Sequence, residues 1–297
     1  MLESLWFRDV AQPGSAHAWG AWGRRFKSSR PDHSSLETSQ LARVLLTNDD
    51  GIHSPGIIAL ENAFSQLADV TVVAPNREMS ATSHSLTIHR PVRYEEVGSH
   101  KFAVDGTPAD CVLLALNYLL PAKPDLVVSG INKGPNLGRD IGYSGTVAAA
   151  IEAAYHDIPA FAISLATRTE LRFEEAAQFA VSLASKMQNE PLAAGILLNV
   201  NVPPGEIRGM RITHQGRRNI QNLVIEERDP RGRKYFWFDQ RFDSSQTDDD
   251  PASDYAAIAA HYVSITPIEV DRTGYGLAEN IAHWPDSLSK EKVEQVS

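Results

Sequence analysis

Cysteine is almost absent from this chain. The single Cys111 excludes an intramolecular disulfide and fits a reducing compartment, so a cytoplasmic location is expected. It sits in the apolar stretch Cys111-Val112-Leu113-Leu114-Ala115-Leu116, the setting of a buried structural thiol rather than a nucleophile. No apolar run reaches the ~18 residues that suggest a membrane span. An excess of positive charge is also missing: the net charge of −9 argues against a broad nucleic-acid surface and a polymeric nucleic-acid partner. Several site motifs are lacking too. There is no G-x-G-x-x-G after the first strand, and Gly130, Gly134 and Gly138 have the wrong spacing for one, which disfavours a standard dinucleotide fold. The absence of G-x-x-x-x-G-K-[ST] disfavours a P-loop NTPase. No H-E-x-x-H or C-x-x-C offers zinc a site, and no G-x-S-x-G elbow suggests an esterase.

What is present divides in two. Residues 1–40 hold Trp6, Trp19 and Trp22, the basic run Arg24-Arg25-Phe26-Lys27-Ser28-Ser29-Arg30, and no steady periodicity. One reading is an organelle transit peptide, which Glu3, Asp9, Asp32 and Glu37 weaken because such peptides are poor in acids. The other is a misplaced start or expression artefact. The stretch from Asp9 to Ser28 resembles a conceptual translation of a bacterial transfer-RNA gene, with Arg25-Phe26-Lys27-Ser28 encodable by its T-arm sequence. The second reading is preferred, and residues 1–40 are expected to be a disordered, non-native extension. Residues 41–297 are expected to form one α/β unit, with a core at about 43–203 and a hairpin and C-terminal segments at about 204–297.

From Arg43 the pattern is regular. Strand 43–47 leads to a helix with Ser54 as N-cap and Pro55 at its first position, and Ile57, Leu60, Phe64 and Leu67 recur at helical spacing. Strands follow at 70–74, 126–129, 160–165 and 196–200, separated by helices from Thr107 to Leu119, from Thr146 to Tyr155 and at about 172–188. This alternation predicts a Rossmann-like, doubly wound, mostly parallel sheet. After Pro203-Pro204 the texture turns polar. Asp229-Pro230-Arg231-Gly232 reads as a turn and Lys234–Phe238 as a strand, together a hairpin excursion whose aromatics suit an interface. Asp248-Asp249-Asp250 reads as a solvated loop rather than a metal cluster. A late strand at 262–268 and a helix near Leu277–Trp284 complete the pattern.

The chemistry gathers at the C-terminal ends of the strands, where α/β proteins place ligands. Asn48-Asp49-Asp50-Gly51 is good turn chemistry. It is equally a metal site, since two such close carboxylates resist joint ionisation unless a hard cation lies between them. Three more loops face the same edge. Residues 74–81 bring the Ser80 hydroxyl and the Arg77 cation. Residues 129–138 bring Asn132, Lys133 and Asn136 among three glycines. Ser144-Gly145-Thr146 opens a helix with free N–H groups and a dipole that favours an anion. Each alone is more often a plain loop or cap. Together, carboxylates facing an anion nest are the arrangement that phosphate-ester hydrolysis needs. His84 lies in a suitable loop for a general acid, although a lone histidine is more often structural.

At these residues the chain resembles the SurE (survival protein E) 5'/3'-nucleotidases. The resemblance rests on LLTNDDGIHSPGI, VVAPNREMSATSHSLT, DGTPADCV, VVSGINKGPNLGRDIGYSGTVAAAIEA and YVSITP, and it covers nearly all of the chain after the odd N-terminus. It implies one divalent metal ion per subunit, Mg or Mn, held by Asp49, Asp50, Ser80 and Asn132, with the aspartates also catalytic. It implies phosphate held near Asn136, Ser144, Gly145 and Thr146. The implied substrates are nucleoside 5'- and 3'-monophosphates, with short polyphosphate in some members. The implied assembly is a homodimer or homotetramer that exchanges C-terminal segments. Two rivals are a metal-dependent nucleotide-sugar glycosyltransferase and a non-catalytic nucleotide-binding module.

Overall fold

The computed structural model describes residues 42–169, 171–217, 220–242 and 250–284. Residues 1–40, Asp248 and Asp249 lie outside them, and so do the expectations made for them. The chain forms β1 (Arg43–Thr47), α1 (Pro55–Phe64), β2 (Asp69–Pro75), β3 (Tyr94–Gly98), β4 (Lys101–Val104), α2 (Pro108–Leu114), β5 (Leu126–Lys133), α3 (Gly145–Tyr155), β6 (Ala160–Leu165), α4 (Phe173–Asn189), β7 (Ile196–Val202) and β8 (Met210–Ile212). Then come β9 (Ile220–Arg228), β10 (Lys234–Phe242), α5 (Asp254–Ala259), β11 (Val263–Glu269) and α6 (Tyr275–Asn280). The main sheet has the order β3-β4-β2-β1-β5-β6-β7-β11-β8, and β9 and β10 form a separate antiparallel ribbon. From β4 to β7 every pairing is parallel; β3 and β11 run antiparallel to β4 and β7. This is the α/β architecture expected from the alternation of elements, with the hairpin beyond it.

Alternation along β1 decides which helices cover which face. Val44 and Leu46 join Ile57, Leu60 and Phe64 of α1 and the apolar face of α4. Leu45 faces the other way, into the layer built by α2 and α3. Every residue of α3 before Tyr155 is buried, which its alanines permit by letting the helix lie close on the sheet. Close approach also governs α1. A Cβ built at Gly56 would lie 2.0 Å from the backbone oxygen of Ile131 on β5, so only glycine fits there.

Some elements differ from the sequence expectation. Leu67 is 43 % exposed, because α1 ends at Phe64. Ser65 closes that helix by donating its hydroxyl to the Glu61 carbonyl, and the chain then turns into β2. The helix after Thr107 is a capped α-helix, in which Thr107 and Asp110 bond each other's backbone N–H, followed by one wide π turn over Ala115–Leu119. The hairpin β3–β4 was not anticipated. On β10, Trp237 and Phe238 stand 62 % and 86 % exposed. Among the described residues no helix is long and apolar enough to cross a membrane.

Candidate functional site

The neighbours β2, β1 and β5 deliver their loops to one edge of the sheet. The turn after β1 is held from inside by Asn48, which is fully buried. Its amide donates to the Gly51 carbonyl (2.9 Å) and to Ser54 Oγ (2.7 Å), and its oxygen accepts from the Gly51 N–H (3.2 Å). Gly51 takes φ +97, a conformation few side chains tolerate. The tetrapeptide is thus a turn, and the turn presents two acids.

The two acids are held differently. Asp49 is buried, and its Oδ1 accepts from the Thr146 hydroxyl at 2.6 Å. Asp50 Oδ2 accepts from the Lys133 backbone N–H at 3.0 Å. The Asp49 carboxylate also takes backbone N–H bonds from its own residue and from Thr146. Burial raises the Asp49 carboxyl from the ordinary 3.8 to about 6; the Thr146 hydroxyl pulls it down, and the neighbouring Asp50 charge pushes it further up. Burial also raises Asp50, opposed by the Lys133 N–H and reinforced by Glu78.

Asp49, Ser80, Asn132, Asn136 and Ser144 line one cavity of about 360 Å³, together with Lys133, Arg139, Arg168 and Tyr143. Asp50 and Lys133 also line an adjoining cavity of about 380 Å³ with His53, Arg77 and Phe173. Arg77, expected beside Ser80, therefore stands on the Asp50 side. Asn132 donates its amide N–H to the Gly134 carbonyl (2.8 Å), which leaves its side-chain oxygen available. Ser80 donates to Glu78 Oε1 (2.8 Å) and keeps its oxygen lone pairs. Among the described residues no group of three or more His, Cys, Asp or Glu could hold a metal. The donors here are two carboxylates, one hydroxyl and one amide, an all-oxygen set that suits a hard divalent ion.

The facing wall is the start of α3. Ser144 caps it by accepting from the Val147 N–H at 3.1 Å. Gly145 packs so closely that an added Cβ would meet Asp49 Cβ at 2.9 Å and Thr82 Oγ1 at 3.0 Å. Thr146 is fully buried, and its hydroxyl serves Asp49 rather than the cavity. Asn136 donates its N–H to Asn201 Oδ1 and its amide to Ser164 Oγ, both at 2.8 Å, while its carbonyl accepts from Asn199 and Asn201. Further along the same loop, the Gly138 N–H donates to the buried Asp254 carboxylate at 2.7 Å.

The sequence expectation did not include these supports. Asn199 and Asn201 carried a signal, two asparagines at period two inside an apolar strand. Asp254 carried none, and neither did Arg139 or Arg168. His84 does not face the cavity as a free acid. Its Nε2 donates to Glu152 at 2.6 Å, and its ring stacks on Tyr155.

Comparison with known proteins gives the chain a family. The family model described as survival protein SurE matches residues 44–222. A "5'-nucleotidase SurE" of Desulforudis audaxviator is 48% identical over 251 residues, covering 82% of this chain and 97% of the relative. That of Syntrophotalea carbinolica is 46% identical over 250 residues, covering 83% and 98%. The crystal structure of the SurE protein from Aquifex aeolicus aligns with a TM-score of 0.74 at 41% identity, over 82% of this chain and 99% of that one. Asp49, Asp50, Ser80, Asn132 and Asn136 all fall within the matched span, on the elements that build the sheet edge, and the chain belongs to the survival protein SurE family.

Proposed function

We propose that this chain is a divalent-metal-dependent phosphomonoesterase that releases phosphate from nucleoside 5'- and 3'-monophosphates, with short polyphosphate as a further substrate. A chain of this family is a hydrolase, and the relatives named above are nucleotidases. The observation that carries the reading is the pair of adjacent carboxylates, Asp49 and Asp50, with Asp49 packed against the helix N-terminus at Gly145 and Thr146. A buried and a half-buried acid, both with raised pKa values, are unfavourable side by side, and an ion between them removes that cost. Asp49, Asp50, Ser80 and Asn132 would hold one Mg or Mn ion. When bound, such an ion supplies charge neutralisation for the ester and lowers the pKa of water.

The rest is work for the chain's own groups. Asn136, the Ser144 hydroxyl and the N–H groups of the Gly145 turn fix the phosphoryl oxygens. Lys133 and Arg168 line the cavity and balance the phosphate charge. The carboxylate not fully engaged with the ion orients the attacking water and takes its proton. The exposed hairpin aromatics and the segments beyond Pro267 would form a dimer or tetramer by exchange. Light scattering on the purified protein should give a mass of two or four chains, and a monomer would remove that part of the proposal.

The decisive assay is phosphate release from a nucleotide panel with Mg, with Mn and with EDTA. Release from AMP that EDTA abolishes is expected. A nucleoside diphosphate freed from a sugar donor would mark a glycosyltransferase. Nucleotide binding with no release at any metal level would mark a binding module.

A further inference from the structure

Ser80 lies five residues past the end of β2, on a loop that belongs to no strand or helix. Its backbone is unusual: Ala81 and Ser83 take φ +57 and +51, the left-handed region that side chains disfavour. Such a conformation persists only where outside contacts impose it. The Met79 N–H donates to the Asp49 carbonyl (2.7 Å), and the Ser83 N–H donates to the Tyr143 carbonyl (3.0 Å). The side-chain contact that ties this loop to the body of α3 is His84 with Glu152.

Glu152 is out of place by its burial and by its position along the helix. It is a carboxylate buried among alanines, in the C-terminal half of a helix, where the dipole disfavours an acid. Its two oxygens are taken by His84 Nε2 (2.6 Å) and His156 Nε2 (3.3 Å), and Tyr155 stacks against His84 with ring centres 5.5 Å apart. Glu152 lies seven residues after Gly145, about two helical turns, and so on the same face. At Gly145 that face touches Thr82, the residue two before His84. The loop thus runs down one face of α3, seated at the top by Gly145 and fastened at the bottom by Glu152.

We infer that His84 and Glu152 are positioning residues that hold Ser80 at the metal site by clamping its loop to α3. The inference rests on the metal site proposed above. Removing the clamp should loosen the ion's hold without damaging the groups that meet phosphate, because Asn136 and Ser144 are fixed by separate contacts.

The test uses the full chain, with Mn2+ binding by titration calorimetry and phosphate release over a range of Mn2+ concentrations. His84→Ala should weaken Mn2+ affinity about tenfold or more, as loss of a supporting partner does at other metal sites. Its kcat at saturating Mn2+ should return to within about threefold of the parent chain. His84→Gln, which can still donate to Glu152, should recover most of the affinity. Unchanged affinity in His84→Ala overturns the inference, as does a kcat lowered at every Mn2+ level. If His84→Ala does not fold, Glu152→Gln carries the test, with weaker Mn2+ binding expected and unchanged binding again fatal. A parent chain that itself binds no Mn2+ overturns the metal site and this inference with it.

Discussion

Asp49→Asn should lose nearly all phosphate release and yet melt at a higher temperature than the parent chain in metal-free buffer at pH 8. Both effects follow from the burial of one carboxylate. In the role proposed for it, Asp49 as a metal ligand supplies several kcal/mol of charge stabilisation, and its loss corresponds to a fall of about a thousandfold in turnover. Stability moves the other way. Burial holds the Asp49 pKa at about 6 against the ordinary 3.8, so ionised Asp49 costs the metal-free fold about 3 kcal/mol. Because the folded-state value is the higher one, the group's contribution is full below the ordinary carboxylate range and is lost as pH climbs through 6. Asparagine keeps an acceptor for the Thr146 hydroxyl and carries no charge. A gain of about 10 °C at pH 8 in EDTA is expected, shrinking to about a third of that at pH 4.5. Melting curves collected across pH, beside a phosphate-release assay, check both halves. Turnover close to that of the parent chain would take Asp49 out of the site.

The second large effect is Gly56→Ala. By helix propensity alone, alanine at this position should stabilise α1 by up to about 1 kcal/mol. The structure reverses the sign. A Cβ at 56 would sit 2.0 Å from the Ile131 oxygen, far inside contact distance, and the obstacle is backbone, which cannot rotate away. Either α1 lifts off the sheet or the end of β5 shifts. A loss of about 3 kcal/mol and of about 10 °C in melting temperature is expected. Ile131 adjoins Asn132, so Mn2+ affinity should fall in the same variant. A melting temperature above that of the parent chain would show that α1 does not seat on β5 at this point.

Much of this was legible because local chemistry and the final fold agree. Val44-Leu45-Leu46 could only be core, and Ser54-Pro55 could only open a helix. The strand-end loops followed from that alternation. The hairpin β3–β4 was not legible, because every residue of Tyr94–Gly98 is exposed and leaves no buried-face pattern to read. The task of Thr146 was not legible either. A threonine after Ser-Gly reads as part of an anion nest, and only the fold brings its hydroxyl to an acid 97 residues away. Asn199 and Asn201 announced themselves as odd, but a strand does not name the loop it supports.

The bond from Gly138 to Asp254 joins positions 116 residues apart. A chain made from its N-terminus holds both aspartates, Ser80, Asn132 and Asn136 long before Asp254 leaves the ribosome. Through that interval the Asn136 loop lacks the carboxylate that ties down its far end. The nascent protein would therefore carry every group proposed to hold the ion well before the loop that bears Asn136 is tied down.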